Sequence, residues 1–252
     1  VPRTSSALPS RLFAGTSGWA YPTWKPDFYP AAVSAKKFLG FYASQLNSVE
    51  VNYTFTKLPK PAIVADWLAQ TADGFRFSFK APQRITHFSR LRDCAQHVAG
   101  LLAAIQPVVD AGRCGLILFQ LPPNLKADLI RLQEFLALPA LASAPPIAFE
   151  FRHASWFDTP VYEVLTAHNA ALCIAESDTL ETPEIHTAAT HTCFRLRRDG
   201  GYKPRELNAF AKRFTELAKR DVYVYFKHED EPTGALNALA FRKAAGKLGA
   251  GK

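Results

Sequence analysis

The stretch Ala148-Phe149-Glu150-Phe151-Arg152-His153 alternates apolar and ionisable side chains with period two. That spacing sends successive side chains to opposite faces of a β-strand, so Phe149 and Phe151 face one layer while Glu150 and Arg152 face another. The alternation recurs in Val49-Glu50-Val51-Asn52, in Phe75-Arg76-Phe77-Ser78-Phe79-Lys80 and in Phe194-Arg195-Leu196-Arg197. Each segment has one apolar face and one face whose polar groups water or a partner must satisfy. Convergence of the polar faces on a common interior would create a charged, solvent-reachable pocket.

Around these segments the chain reads as eight strands separated by helices. Strand patterns fall near 12–15, 48–52, 75–80, 115–121, 147–152, 171–176, 192–197 and 222–228. Ser34 is placed to cap a helix in which Phe38, Leu39, Tyr42 and Leu46 recur at helical spacing. Pro61 suits the first turn of the next helix. A longer helix over 91–109 meets its stop at Gly112, and further helical patterns cover 127–138, 160–168, 204–219 and 234–248. The interval 177–191 mixes Thr, Pro, Glu and His with little periodicity, and a loop with a short helix is expected there. Eight strand–helix alternations in about 250 residues predict an α/β fold, a (β/α)8 TIM barrel. Residues 1–10 are expected to form a flexible N-terminal tail and 11–252 a single domain. The competing doubly wound sheet usually shows G-x-G-x-x-G after its first strand, and Gly15-Thr16-Ser17-Gly18-Trp19 is not that motif.

Composition bounds the function classes. Of 252 residues, 48% are hydrophobic and 21% charged, an ordinary globular balance. No apolar run approaches the ~20 residues that span a bilayer, so no membrane association is expected. Residues 1–8 lack the apolar core of a signal peptide, which makes a cytoplasmic location the expectation. Cys94, Cys114, Cys173 and Cys193 contain no C-x-x-C pair and read as free thiols. The net charge of +8 is compatible with phosphates, acidic ligands or nucleic acid. No arginine-rich run, zinc finger or RNA-binding signature accompanies it.

Several segments together resemble the YecE-like family, whose members have a TIM-barrel fold and no settled activity. They are Gly15-Thr16-Ser17-Gly18-Trp19, Phe28-Tyr29-Pro30, Val49-Glu50-Val51-Asn52-Tyr53-Thr54-Phe55, Phe77-Ser78-Phe79-Lys80 with Ile85-Thr86-His87, Gln120-Leu121-Pro122-Pro123, Glu150-Phe151-Arg152-His153-Ala154-Ser155-Trp156, and Tyr223-Val224-Tyr225-Phe226. They occur in family order over nearly the whole chain, and the resemblance implies the barrel. Departures cluster late. Leu196-Arg197-Arg198 stands where many relatives carry His-Gly, and Lys227-His228-Glu229 stands where many carry asparagines.

In a TIM barrel the working groups come from the C-terminal strand ends and the loops after them. That rule selects Glu50, Asn52, Lys80, Gln120, Glu150, Arg152, His153, Glu176, Asp178, Arg195, Arg197, Lys227, His228 and Glu229. The inward set of Glu50, Lys80, Glu150, Arg152, Arg195 and Arg197 has four positive charges against two negative. Ionised interior groups must be paired or in contact with a ligand, and the cationic surplus points to a phosphate or carboxylate. The expected roles are anion binding by Lys80, Arg152 and Arg195, and acid/base chemistry by Glu150 or Glu50 with His153. Asn52, His87 and an aromatic wall of Trp19 and Trp156 complete the expected binding surface. A plainer reading makes Glu50, Glu150 and Arg195 a structural ion network and His153 a loop cap.

The leading functional expectation is a hydrolase or lyase acting on a small phosphorylated or carboxylated substrate. The rivals are a metal-dependent phosphodiesterase or nuclease, and a non-catalytic binder of nucleic acid or an anionic metabolite. No H-x-H or H-E-x-x-H spacing is present, so no metal ligands are assigned, and cofactor and oligomeric state stay open.

Overall fold

A computed structural model describes residues 11–176, 180–227 and 231–249. The tail expected over 1–10 and the candidates Asp178, His228 and Glu229 lie outside the described residues. Among the described residues eight strands occur: β1 (Leu12–Thr16), β2 (Ser48–Val51), β3 (Arg76–Lys80), β4 (Cys114–Gln120), β5 (Ile147–Glu150), β6 (Ala171–Glu176), β7 (His191–Leu196) and β8 (Asp221–Phe226). They form one parallel sheet in the order β1-β8-β7-β6-β5-β4-β3-β2. A parallel bridge between Ser17 and Glu50 joins its two ends and makes a TIM barrel. The helices are α1 (Phe38–Gln45), α2 (Tyr53–Thr56), α3 (Pro61–Ala69), α4 (Ala95–Asp110), α5 (Leu129–Leu136), α6 (Thr159–Ala167), α7 (Pro204–Glu216) and α8 (Thr233–Gly249).

The period-two pattern sorts side chains as expected. Phe77, Phe119, Phe149 and Phe194 are fully buried in the layer between sheet and helices. There Phe119 stacks on Phe149 at 5.2 Å and Phe149 on Phe151 at 5.9 Å. The opposite strand faces fill the barrel with Phe13, Leu116, Leu118, Ala148, Cys173, Cys193, Tyr223 and Tyr225. One polar knot crosses this inner core. Tyr225 donates to Ser78 Oγ at 2.6 Å and lies 2.8 Å from Ser48 Oγ. Ser78 Oγ in turn accepts the Leu116 N–H at 3.0 Å, where the β3–β4 register is irregular and the strand ladder leaves that donor over.

Three of the differences from the sequence pattern have a local reason. The helix expected from residue 91 starts at Ala95, because Arg90, Leu91 and Asp93 take positive φ (49°, 70° and 50°), which no α-helix accommodates. The helix expected from 127 starts at Leu129, where Asp128 caps it by accepting the Arg131 N–H at 3.1 Å. The short helix expected within 177–191 is absent among the described residues 180–191. Fourteen residues, 177–190, separate β6 from β7 and must return the length of a six-residue strand, ~20 Å. Fourteen residues cover that distance with or without a helical turn, so side-chain contacts rather than length decide the path. Thr187 fastens this strap to the start of β6, accepting the Leu172 N–H at 2.8 Å and donating to Ala170 O at 2.6 Å.

The β1–β2 seam is closed largely by side chains. Asn47 Oδ1 accepts the Ala14 N–H at 2.8 Å while its Nδ2 donates to Leu12 O at 2.9 Å. Tyr42 Oη accepts the Thr16 N–H at 2.8 Å and donates to Ser48 O at 3.0 Å. Gly15 permits this approach: a Cβ there would lie 1.8 Å from the Ser48 carbonyl oxygen and 2.8 Å from the Tyr42 hydroxyl. The clash is with backbone that the seam holds in place. Gly15→Ala is therefore expected to destabilise the protein by at least about 3 kcal/mol, read as a lowered urea midpoint at unchanged m-value; a midpoint equal to wild type would show that the seam yields.

Candidate functional site

The inward side chains at the C-terminal strand ends meet in one cluster. Arg195 on β7 is its centre. Nη1 donates to Glu150 Oε2, and Nη2 donates to Glu50 Oε1 at 2.7 Å and to Ser17 Oγ at 3.2 Å. Gln120 Nε2 donates to Glu150 Oε1 at 2.9 Å, and Arg152 Nε lies 3.5 Å from the same oxygen. Glu50, Glu150 and Arg195 are 0%, 2% and 1% exposed. Isolated charges so buried would each cost several kcal/mol, so the clamp is stable only because one guanidinium faces two carboxylates. Burial pushes the Glu150 carboxyl up, but Arg195 and then Arg197 outweigh it and hold the group down at about 2. Burial also opposes the Arg195 charge, and Glu150 and Glu50 more than restore it. Glu150 thus stays a carboxylate across the neutral range. Two polar atoms of the clamp, Glu50 Oε2 and Arg195 Nε, are enclosed without a hydrogen-bond partner in the protein.

Above the clamp stand further cations. Lys80, at the end of β3, is half-buried, with Nζ 4.0 Å from the centre of the Phe55 ring on α2. Among the described residues no carboxylate lies within ion-pair distance of Lys80 or Arg197. Burial, followed by repulsion from Arg195, lowers Lys80 to about 8 against the pull of Glu50 and Glu150. Arg197, also half-buried, is lowered by burial and then by Arg195. Arg152 and Arg197 line a cavity of about 230 Å³ together with Glu150, Ala175 and Thr182.

The structure gathers Glu50, Glu150, Arg152, Arg195 and Lys80, and sets Asn52 beside them, donating to Ser17 O at 3.1 Å. His87 rides on a π-helical turn (Arg84–Phe88) after β3. Its ring meets Phe55 edge-on at 5.1 Å, and burial, then Lys80 and Arg152, lower its pKa. Single π turns and non-glycine residues at positive φ are both frequent at working sites, and this loop has both.

Three expected site residues are used elsewhere. His153 caps the short turn Ala154–Trp156: Nδ1 accepts the Ser155 N–H at 3.1 Å, so that nitrogen is committed to the loop. Trp156 is fully buried, stacked on Phe151 at 4.5 Å, with Nε1 donating to Leu125 O at 2.8 Å. It follows the outward side of β5, which removes it from the mouth. Trp19 is half-buried and packs edge-on against Trp67 of α3 at 5.6 Å, on the outer layer. Phe55 is the mouth residue that strand-end reasoning omitted, because it lies on a four-residue helix one turn beyond β2.

A larger groove, about 890 Å³, runs outside the barrel between residues 181–184 and α7. Its two arginines are paired, Arg198 with Glu176 and Glu206 and Arg213 with Glu184 at 3.3 Å, and Glu181 adds a further carboxylate to its wall. Lys80 and Arg197, which have no such partner among the described residues, stand instead at the barrel mouth. Among the described residues no three His, Cys, Asp or Glu side chains converge as a metal site, and no helix is long and apolar enough to cross a membrane.

Comparison with known proteins agrees with this architecture. A family model described as "Protein of unknown function DUF72" matches residues 13–251. The UPF0759 protein YecE of Escherichia coli (strain K12) is 34% identical over 147 residues, 58% of this chain and 50% of that protein. The match thus spans about half the length of that relative. The UPF0759 protein YunF of Bacillus subtilis (strain 168) is 22% identical over 90% of this chain and 92% of its own. The crystal structure of a DUF72 family protein from Thermotoga maritima superposes with a TM-score of 0.79 at 26% identity, covering 92% of this chain and 98% of that one.

The Glu150 carboxyl sets a pH dependence. A group whose folded pKa is depressed adds stability above its unfolded pKa, near 4.5, that is lost as pH falls toward about 2. Glu150→Gln is expected to flatten the stability profile in that window and to cost about 3 kcal/mol at pH 7 by leaving Arg195 short of a partner. Equal acid slopes in chemical denaturation of the two proteins would exclude this assignment.

Proposed function

The chain belongs to the DUF72 family, and we propose that it is an enzyme, a hydrolase or lyase that acts on a small phosphorylated or carboxylated substrate at the C-terminal mouth of its barrel. One observation carries the reading. Four cations and two carboxylates share the mouth, the buried clamp uses one cation and both carboxylates, and Lys80 and Arg197 keep no ion-pair partner among the described residues. Half-buried cations in that state are stabilised by an incoming anion, which replaces lost water with charge-assisted hydrogen bonds.

The roles follow from burial. Arg152, Arg197 and Lys80 hold the anionic group, and His87 and Asn52 contact its neutral part. Arg195 lies beneath as a positioning residue, since its terminal nitrogens are engaged by Glu50, Glu150 and Ser17. Glu150 acts as a fixed negative charge. Glu50, with Oε2 unpartnered, is the carboxylate assigned to proton transfer. The preorganised charges resist reorganisation when charge develops on a substrate, which is the principal means by which such sites accelerate reactions.

Thermal-shift titration against phosphorylated and carboxylated metabolites tests the reading, with an oligonucleotide arm to detect nucleic-acid binding. A ligand at the mouth is expected to lose about tenfold or more in affinity with either Arg152→Ala or Lys80→Ala, the loss of one charge-assisted contact. A ligand whose stabilisation survives both changes binds elsewhere and removes this site from consideration.

A further inference from the structure

We propose that a second anion site lies outside the mouth, in the cavity between α2, the π turn and the start of α4, and that it takes a dianionic phosphate, free or as a monoester. It does not depend on the reading above, which rests on Arg152, Arg197 and Lys80. The cavity measures about 210 Å³. Lys57 and Arg84 give it two permanent cations, Gln96 and His97 add an amide and an imidazole, and no carboxylate is among its lining residues. Neither Lys57 nor Arg84 has an ion-pair partner among the described residues. Other surface cavities differ in this respect. The large groove sets its arginines against glutamates, and Arg92 shares its cavity with Asp93 and Glu134.

Three features give the cavity the form of a receptor. Arg84 opens the π turn, and its Nε donates to His97 Nε2 at 3.4 Å. That bond directs an exposed guanidinium and leaves both terminal nitrogens for a guest, in the fork that matches two phosphate oxygens. Gly100 keeps the space open. It lies inside α4, where glycine is a poor helix former, yet a Cβ there would make only an ordinary contact, 3.8 Å from Leu58 Cδ1. Packing does not require the glycine, whereas an open cavity does. Gln96 and His97 belong to the first turn of α4, which carries no acidic residue and no side-chain cap, so the positive end of the helix adds to the field of the cations.

Charge and size name the ligand. Two cations match a phosphate monoester, which carries close to two negative charges, better than a diester, which carries one. At about 30 Å³ per water, the cavity admits a five-atom phosphate with water around it. Its inner wall includes Thr54, whose hydroxyl donates to Lys80 O at 2.7 Å, so the site adjoins the end of β3 without sharing the mouth's cations.

Calorimetric titration of the full chain with inorganic phosphate, at low ionic strength and about pH 8, tests the proposal. The Arg152→Ala protein serves as the background, to silence the mouth. Saturable binding of one phosphate is expected to persist there. Adding Arg84→Ala or Lys57→Ala is expected to weaken it about tenfold or more, the loss of one charge-assisted contact. Gly100→Leu is expected to weaken it similarly by filling the space with every cation kept. Glycerol 3-phosphate should bind like phosphate, and oligothymidylate without a terminal phosphate should bind more weakly. Phosphate binding that is absent in the Arg152→Ala background, or that survives both cation removals, overturns the site. Oligothymidylate binding more tightly than phosphate, with the same sensitivity to Arg84→Ala, overturns the assignment to a dianion.

Discussion

The structure depends on a single guanidinium shared between two buried carboxylates. Strands seven, five and two place Arg195, Glu150 and Glu50 at the same height inside the barrel, and none of the three could stay ionised there alone. Together they form a tie across the ring. Ser17 joins from strand one, and Gln120 from strand four supports Glu150. Five of the eight strands are thus linked by charge and hydrogen bonds at one level, above an inner core of aliphatic, thiol and tyrosyl groups.

The tie also shapes what lies above it. It engages both carboxylates, and of the remaining cations only Arg152 reaches one of them, at 3.5 Å from Glu150, among the described residues. Lys80 and Arg197 are half-buried and have no ion-pair partner among the described residues, and the proposed anion site rests on them. The loop after strand three adds to this, with a π turn and left-handed backbone bringing His87 to the Phe55 ring that covers Lys80. By contrast, the larger groove beside α7 has its arginines matched to glutamates, and its size alone carries no chemistry.

Most of the architecture was legible in period-two alternation, since a strand whose polar face is charged must turn that face inward to a shared site or outward to water. Eight such strands with helices between them leave few topologies. The charged set at the mouth followed from strand-end positions, because backbone geometry places those residues whatever their side chains prefer. Loop residues did not obey this logic. Trp156 and His153 sit six and three residues past the end of β5, yet one is drawn behind β5 by stacking on Phe151 and the other is taken up in capping a turn. Such choices rest on tertiary contacts that no local pattern encodes. The helix expected between strands six and seven is likewise replaced, among residues 180–191, by chain that Thr187 bonds to strand six.

The seam between strands one and two has a consequence for how such a molecule can change. Glu50 belongs at once to the backbone bridge that shuts the ring and to the charged tie beneath the mouth. A replacement there breaks the charged tie at the very residue whose backbone shuts the ring, and few side chains suit that buried position. Lys80, Arg152 and Arg197 carry no such double duty. If those rim groups hold a ligand as proposed, a lineage is free to exchange them and so to trade one guest for another, while the hoop below forbids similar experiments. Diversity in specificity should therefore accumulate at the lip of this barrel and stop one layer down.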